Sequence, residues 1–399
     1  MITWSSKGRD KSIQKKHATL LSQRSRQSVD FGQRLEKMQN SLGDSFILAK
    51  FAAYMSESKK RLLGMDLAEM QAVAKSIGMP GFAARQMMEW IYVKRVRSID
   101  EMTNLSLKHR EALNAHYEVG ISDPIEGIHS VDGTIKYLFK IREGQFVEAV
   151  YIPDDDRATL CVSSQVGCKM HCAFCMTGRQ GFSAHLTAGE ILNQFYAIPE
   201  SASLTNVVMM GMGEPLDNTD EVLKALRLIT DTKLLAWSPR RITLSTVGVK
   251  GNLKRFLDES ECHLAISLHA PTPQLRSELM PAERIYSITE MVEVLRGYDF
   301  TGQRRLSFEY ILFDGVNDTM ADARKLVRLL DGLQCRINLI RFHAIPDSEL
   351  DGVPMERMVA FRDYLTRHGL FTTIRASRGE DIYAACGMLS TKKLKNQTK

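Results

Sequence analysis

Three cysteines, Cys168, Cys172 and Cys175, stand in "VGCKMHCAFCMTGRQGF" (166–182) at the spacing C-x3-C-x2-C, and no fourth follows. Thiolates spaced like this hold a metal centre. A structural zinc takes four ligands, usually as paired C-x2-C units. Here the second pair is missing, and His171 and His185 are the neighbours that would have to complete the set. A [4Fe-4S] cluster on three thiolates makes different use of the same loop, because its fourth iron keeps an open position for a substrate or cofactor.

Such a loop needs a rigid support. Short apolar strands read at "ATLCVSS", "NVVMMG", "RITLST", "HLAISL", "LSFEYIL" and "CRINLI", each followed by an amphipathic stretch such as "TDEVLKALRLITDTKLL" or "TMADARKLVRLLDGL". Six strand-helix units imply α/β architecture, a parallel barrel or an open parallel sheet, with chemistry at the carboxyl ends of the strands. The cysteine triplet follows the first of those strands directly. Upstream, "IHSVDGTIKYLFKI" (128–141) alternates on either side of Asp132-Gly133, a pair that favours a hairpin, and "FVEAVYI" supplies a further strand. Between residues 62 and 117 apolar positions recur at helical spacing between Gly and Pro breaks, which gives a small helical domain.

The chain thus divides into a basic arm at 1–61, a helical accessory domain at 62–125, a hairpin and strand at 126–158, a strand-helix body at 159–390 and a frayed tail at 391–399. The arm carries 13 Lys/Arg against 5 Asp/Glu and reads as disordered. An organelle transit peptide, or an upstream extension with the working start near Met55, are its other readings.

With 399 residues, 44% hydrophobic and 25% charged, the chain has the composition of a globular enzyme. No run of about 18 apolar residues and no signal-peptide core is visible, which argues against membrane insertion and secretion and for the cytoplasm. Seven cysteines, an odd number in a long chain, do not form a disulfide framework. The net charge of +6 is compatible with a polyanionic partner without proving one.

The cysteine loop after the first barrel strand, with Phe174 directly before the last cysteine, resembles the radical S-adenosylmethionine (SAM) superfamily. "RATLCVSSQVGCKMHCAFCMTGRQGF", "MGMGEPLDN", "ITLSTVGV", "LAISLHAP", "INLIRFH" and "RGEDIYAACG", in this order, are similar to the RlmN/Cfr family within it, over about residues 60–390. The resemblance implies a partial parallel (β/α)6 barrel, a [4Fe-4S] cluster on Cys168, Cys172 and Cys175, and two SAM per turnover. It implies methylation of an adenine in 23S ribosomal RNA, at C2 in the nearer branch, which also acts on adenine 37 of certain transfer RNAs, or at C8 in the other. Adenine C2 is too electron-poor to attack a methyl group directly, so radical chemistry supplies the missing reactivity.

By motif match, Cys386 of "AACG" is the methyl carrier, and Cys161 takes the C2 proton and then attacks Cys386, releasing product as a disulfide forms. Without the family, Cys386 reads as a buried small hydrophobe; Cys262 and Cys335 match no motif and read as core. Glu148 of "QFVEAVYI" matches a family glutamate assigned as proton acceptor, with an outward-facing strand carboxylate as its bland reading. Gly211, Gly213 and Glu214 of "GMGEP", Ser245 of "LSTVG", and Ser267, Leu268 and His269 of "ISLH" match SAM contacts, the carboxylate pairing with the SAM ammonium. His343 of "NLIRFH" stands where many relatives have asparagine, with a different donor and acceptor arrangement.

The implied partners are 23S rRNA and tRNA, a base of which must be unstacked to reach the site, and an electron donor such as flavodoxin or ferredoxin. The chain is expected to be a monomer. Lys94, Arg95 and Arg97 on the helical domain, "RKLVR" (324–328) and "GQRRLS" (302–307) are candidate RNA contacts or solvated faces. Glycyl-radical activation or sulfur insertion are the rival radical SAM reactions, although neither needs Cys161 and Cys386. An iron-sulfur RNA-binding protein is the non-enzymatic alternative, and it leaves the motifs on successive strands unexplained.

Overall fold

The computed structural model describes residues 59–391; the basic arm, but for its last three residues, and the tail beyond Thr391 lie outside them. In chain order the elements begin with β1 (Lys60–Arg61), α1 (Leu67–Ser76), α2 (Ala83–Met88), α3 (Leu107–His116) and β2 (Tyr117–Glu118). Asp66 and Glu69 start α1 with a reciprocal capping box. Pairing of β1 with β2 in parallel closes this helical segment on itself. It is fastened to the body by polar bonds: the Tyr196 hydroxyl donates to the Tyr92 carbonyl at 3.0 Å, and Asn193 bonds both backbone groups of Ser122.

A ten-stranded sheet forms the body, in the order β14-β13-β12-β11-β10-β9-β6-β5-β4-β3. Its antiparallel side is β3 (Glu126–His129), β4 (Ile135–Arg142) and β5 (Gln145–Asp154), with Asp132 and Gly133 in the β3–β4 turn. β6 (Arg157–Cys161) pairs antiparallel with β5 and parallel with β9, the point where the sheet changes sense. After β6 come β7 (Gln165–Val166), α4 (Met176–Gln180), β8 (Ala184–His185) and α5 (Ala188–Tyr196).

The parallel side then alternates strand and helix: β9 (Asn206–Met209), α6 (Thr219–Thr230), β10 (Ile242–Thr246), α7 (Asn252–Glu259) and β11 (His263–Ser267). It continues through α8 (Pro273–Leu279), α9 (Ile288–Arg296), β12 (Leu306–Leu312), α10 (Met320–Leu329), β13 (Arg336–Arg341), α11 (Met355–Arg367) and β14 (Thr372–Ile374). All six expected strands are present as β6 and β9 to β13. β14 adds a seventh parallel strand, and β14 and β3 end the sheet, so the barrel stays open. Every position of β12 is buried, as a parallel strand covered on both faces requires. Helices α6 and α10 present their apolar sides, Val222, Leu223 and Leu226, and Ala323 and Leu326, to the core. No helix among the described residues is long and apolar enough to cross a membrane.

Candidate active site

The cysteine loop leaves β7 through Gly167, whose φ of +77° lies in the left-handed region. A Cβ there would sit 1.7 Å from the Gly181 carbonyl oxygen, so no other residue fits. Cys168 and Cys172 are buried and Cys175 is half-buried at the start of α4. The three thiols, with Gly213, Glu214, Ser245, Ser267, His269 and Cys386, line one cavity of about 140 Å³ at the carboxyl ends of the strands.

Burial pushes the Cys168 thiol up to about 12 and that of Cys172 well above its ordinary value, so both stay protonated until a metal displaces the protons. Among the described residues no three His, Cys, Asp or Glu groups are arranged to hold a single ion. The three thiols border one cavity, as a [4Fe-4S] cluster on three cysteines with an open fourth iron requires. His171 and His185 do not line that cavity; His185 Nδ1 lies 3.1 Å from the Gln165 amide. Arg276, fully buried and paired with the buried Glu283, lies within electrostatic reach of Cys172, and its Nε has no hydrogen-bond partner among the described residues.

Backbone and side-chain bonds fix the rest of the wall. Gly213, at φ +100°, passes Gln165 so closely that a Cβ would come within 2.5 Å of its side chain. Gln165 in turn accepts from the Glu214 amide at 2.8 Å and donates to Asp217 at 2.7 Å. The Glu214 carboxylate accepts from Thr246 Oγ1 (2.6 Å), Val247 N (2.9 Å) and Leu216 N (2.9 Å); burial still raises its pKa to about 7. His269 Nδ1 accepts from the Ile311 amide at 3.0 Å, which places the proton of the neutral ring on Nε2, and burial depresses its pKa to about 3. Its ring meets that of Phe174 edge-on at 4.7 Å. Leu268 is fully buried and lines neither cavity described here; its amide donates to the Glu309 carbonyl at 3.0 Å.

Cys386 is exposed and stands on the wall shared with a second cavity, of about 360 Å³, that includes Arg157, His343, Arg375, Ser377 and Arg378. Its segment is tied to the cysteine loop: Met176 N donates to Gly387 O (2.8 Å) and Thr177 Oγ1 to Leu389 O (2.8 Å). Cys161, the last residue of β6, is buried, and burial first, then the neighbouring Cys386, push its thiol up to about 12. Arg375 and the Met210 amide act in the opposite sense. Arg375 donates to Glu309 at 3.2 Å and contacts the Met210 sulfur at 3.4 Å.

Two family models match the chain: the radical SAM superfamily over residues 162–328, and the N-terminal domain of the ribosomal RNA large subunit methyltransferase over residues 60–119. A probable dual-specificity RNA methyltransferase RlmN from Bacteroides fragilis is 67% identical over 341 residues, 86% of this chain and 99% of the relative. The chain belongs to the RlmN family. The dual-specificity RNA methyltransferase RlmN of Syntrophus aciditrophicus is 43% identical over 347 residues, 86% of this chain and all of the relative. A crystal structure of a radical SAM methyltransferase from Sphaerobacter thermophilus superimposes with a TM-score of 0.78 at 40% identity, covering 83% of this chain and 99% of that one. As a radical SAM enzyme of the RlmN family, the protein uses a [4Fe-4S] cluster and SAM.

Other motif residues of the RlmN family sit elsewhere. His343 lines the second cavity only, with Nε2 2.8 Å from Ser377 Oγ and Nδ1 3.0 Å from Glu380. Glu148 is buried outside both cavities, 3.2 Å from Lys136 Nζ and accepting from Ser390 N at 2.9 Å; burial raises its pKa. All seven cysteines are free thiols, so the disulfide expected between Cys161 and Cys386 is not formed in this structure. Of the basic candidates, Arg95 bonds Ser201 and Arg304 is buried against the Leu257 carbonyl, while Lys94 and Arg97 pair with Glu89 and Asp123.

Sequence reasoning missed Arg375, which lies within electrostatic reach of Cys161 and Cys386, its partner Glu309, and Arg276, which donates to the Val247 and Ser267 carbonyls at 2.7 and 2.8 Å and so fixes two strand ends. The one available signal was charge at improbable places: a glutamate inside the apolar run "LSFEYIL", and an arginine closing "TTIR".

Proposed function

We propose that the protein methylates C2 of an adenine in 23S rRNA and adenine 37 of tRNA, using Cys386 as the methyl carrier. The dual specificity of its RlmN relatives toward RNA supports two substrates. The observation that carries the residue assignment is the position of Cys386, exposed where the three-cysteine cavity meets the wider one. When bound, the cluster and two SAM supply a transferable methyl group and a hydrogen-abstracting radical.

The chain's own residues do the rest. Glu214 offers a carboxylate to an ammonium, and Gly213, Ser245, Ser267 and His269 shape the wall around the SAM. Cys386 accepts the methyl on sulfur and later presents the carbon to the base from the other side. Cys161 takes the C2 proton, with Arg375 offsetting the cost of a buried thiolate; as a thiolate it then attacks the Cys386 sulfur, so that the sulfur–methylene bond breaks as the disulfide forms and the released carbon takes up a proton to become the methyl group. Glu148 acts as a positioning residue, because its carboxylate is engaged by Lys136 and by Ser390, four residues beyond the carrier. His343 holds the carrier loop through Ser377 and Glu380. The helical segment serves as an RNA-contacting accessory domain, a flavodoxin or ferredoxin supplies electrons, and the enzyme works as a cytoplasmic monomer.

The test is nucleoside mass spectrometry of a 23S rRNA fragment and a tRNA after anaerobic incubation with the reconstituted enzyme, SAM and a reductant. 2-Methyladenosine in both RNAs is expected. 8-Methyladenosine would move the protein to the other branch, and no methylated adenosine would refute the assignment.

A further inference from the structure

We propose that the second cavity receives the RNA, and that Arg157 and Arg378 at its rim bind the backbone phosphates flanking the displaced nucleotide. This rests on the RNA methyltransferase reading above and names the substrate-binding site it requires. At about 360 Å³ the cavity lies within the usual range for ligand sites, roughly 300–1,000 Å³. Cys386 is on its wall, so a base lodged there meets the carrier sulfur without crossing the three-cysteine cavity.

The charge pattern of the rim points to phosphate. Among the described residues Asp154 is the sole carboxylate lining the cavity, and it is shared between two guanidinium groups, 3.0 Å from Arg378 and 4.0 Å from Arg157. Each guanidinium carries five donors. The longer contact is beyond hydrogen-bonding range, so one carboxylate orients the pair and leaves most of their N–H groups open. The side chains keep 34% and 64% of their exposure, enough to meet a ligand from solvent. A planar guanidinium matches two phosphate oxygens at once. Arg375, deeper in, is already paired with Glu309.

Both arginines stand on anchored backbone. Arg157 faces Asp154 across the end of the β5–β6 ladder. Arg378 belongs to the loop that carries Cys386, and that loop is held to the β3–β4 turn by Gly379 N donating to Asp132 (2.9 Å) and Ser130 Oγ donating to Asp381 (2.5 Å). Phosphate capture at Arg378 therefore fixes the strand relative to the segment bearing the carrier, eight residues on.

Fluorescence anisotropy of the full, anaerobically reconstituted chain with a fluorescein-labelled RNA stem-loop bearing an adenine in its loop tests this, over a KCl series. An Arg157→Ala/Arg378→Ala double variant is expected to bind roughly 10- to 100-fold more weakly. Its slope of log affinity against log salt should be shallower by about 1.4, the share of two single-strand phosphates. An Arg157→Lys/Arg378→Lys variant should restore most of that slope. Unchanged affinity and slope in the alanine variant would overturn the proposal, as would a parallel loss of SAM affinity, which would make the cavity part of the SAM site. Failure of the wild-type enzyme to methylate any RNA would instead sink the methyltransferase reading, a result that does not depend on the anisotropy.

Discussion

The amide of Met176 donates to the carbonyl of Gly387 at 2.8 Å, joining the residue after the last cysteine of the loop to the residue after Cys386. Two segments some 210 positions apart in sequence thus share one backbone contact, and Cys386 is placed relative to the three-thiol wall by main chain. Gly387 has a φ of +82°, and a Cβ there would lie 3.1 Å from the Phe174 carbonyl oxygen. Gly387→Ala should therefore cost at least about 1 kcal/mol in stability and displace Cys386. Peptide mass spectrometry after incubation with SAM should show S-methyl-Cys386 forming more slowly in the variant, with iron content retained. Methylation at the wild-type rate would show that this contact does not position the carrier.

Cys168→Ala, Cys172→Ala and Cys175→Ala should each give protein with little iron and no SAM cleavage after anaerobic reconstitution, where the wild type holds about four irons per chain. Iron and absorbance spectra decide the matter. Stoichiometric zinc in place of iron in the wild type would overturn the cluster assignment.

Glu309 is buried and pairs with the half-buried Arg375, which lies within electrostatic reach of Cys161 and Cys386. Arg375→Met alone should destabilise the protein by about 1–3 kcal/mol, because the buried Glu309 loses its cation and keeps only the hydrogen bonds from Ser307 and Asn338. Adding Glu309→Gln should recover much of that stability but not methyl transfer, since the thiols have lost their cation. Denaturant melts and RNA methylation separate the two effects; recovery of both together would reduce Arg375 to a structural role.

These residues also mark how far the sequence could be read. β6 and β9 to β13 were legible because each is an apolar run bounded by turn residues and followed by an amphipathic helix. β14 was not, since three residues, Thr372 to Ile374, carry no period of their own and gain their place by pairing with β13. Cys168, Cys172 and Cys175 announce themselves by spacing within eight residues. Glu309 and Arg375 are 66 positions apart, and their pairing exists only after the sheet brings β12 near the end of β14. His343 matches a SAM-contact motif, and in the fold its ring also bonds Ser377 and Glu380 on the loop that carries Cys386, partners that local sequence cannot supply.

His269 has a folded-state pKa of about 3 against an ordinary 6.5, through burial. Below pH 6.5 the unfolded chain takes up a proton at this residue that the folded one refuses, so its stabilising contribution is complete above pH 6.5 and is lost as pH falls toward 3. Between pH 6.5 and 5 the loss is about 2 kcal/mol. His269→Asn removes that titration, and chemical unfolding of the variant should depend less steeply on pH in this interval. Parallel slopes for the two proteins would show that His269 does not titrate in this way.

Cys161→Ala separates the two thiol roles. Cys161 is buried at the end of β6, and its neighbour Cys386 contributes to its raised pKa, so the two sulfurs lie within electrostatic reach. A variant lacking Cys161 keeps the carrier and the three cluster cysteines, so it can still be methylated and still join its carbon to adenine. On the proposed mechanism it lacks the group that takes the C2 proton and then attacks the Cys386 sulfur, and the adduct stalls. The expected product is a protein-RNA cross-link through Cys386 that survives denaturation and added thiols, because a thioether does not exchange as a disulfide does. It should appear as a shifted band on a denaturing gel and vanish in the Cys161→Ala/Cys386→Ala double variant. If Cys161 only fills space, its truncation costs about 1 kcal/mol and traps nothing. Normal turnover without a cross-link would thus remove Cys161 from the chemistry while leaving the cluster assignment untouched.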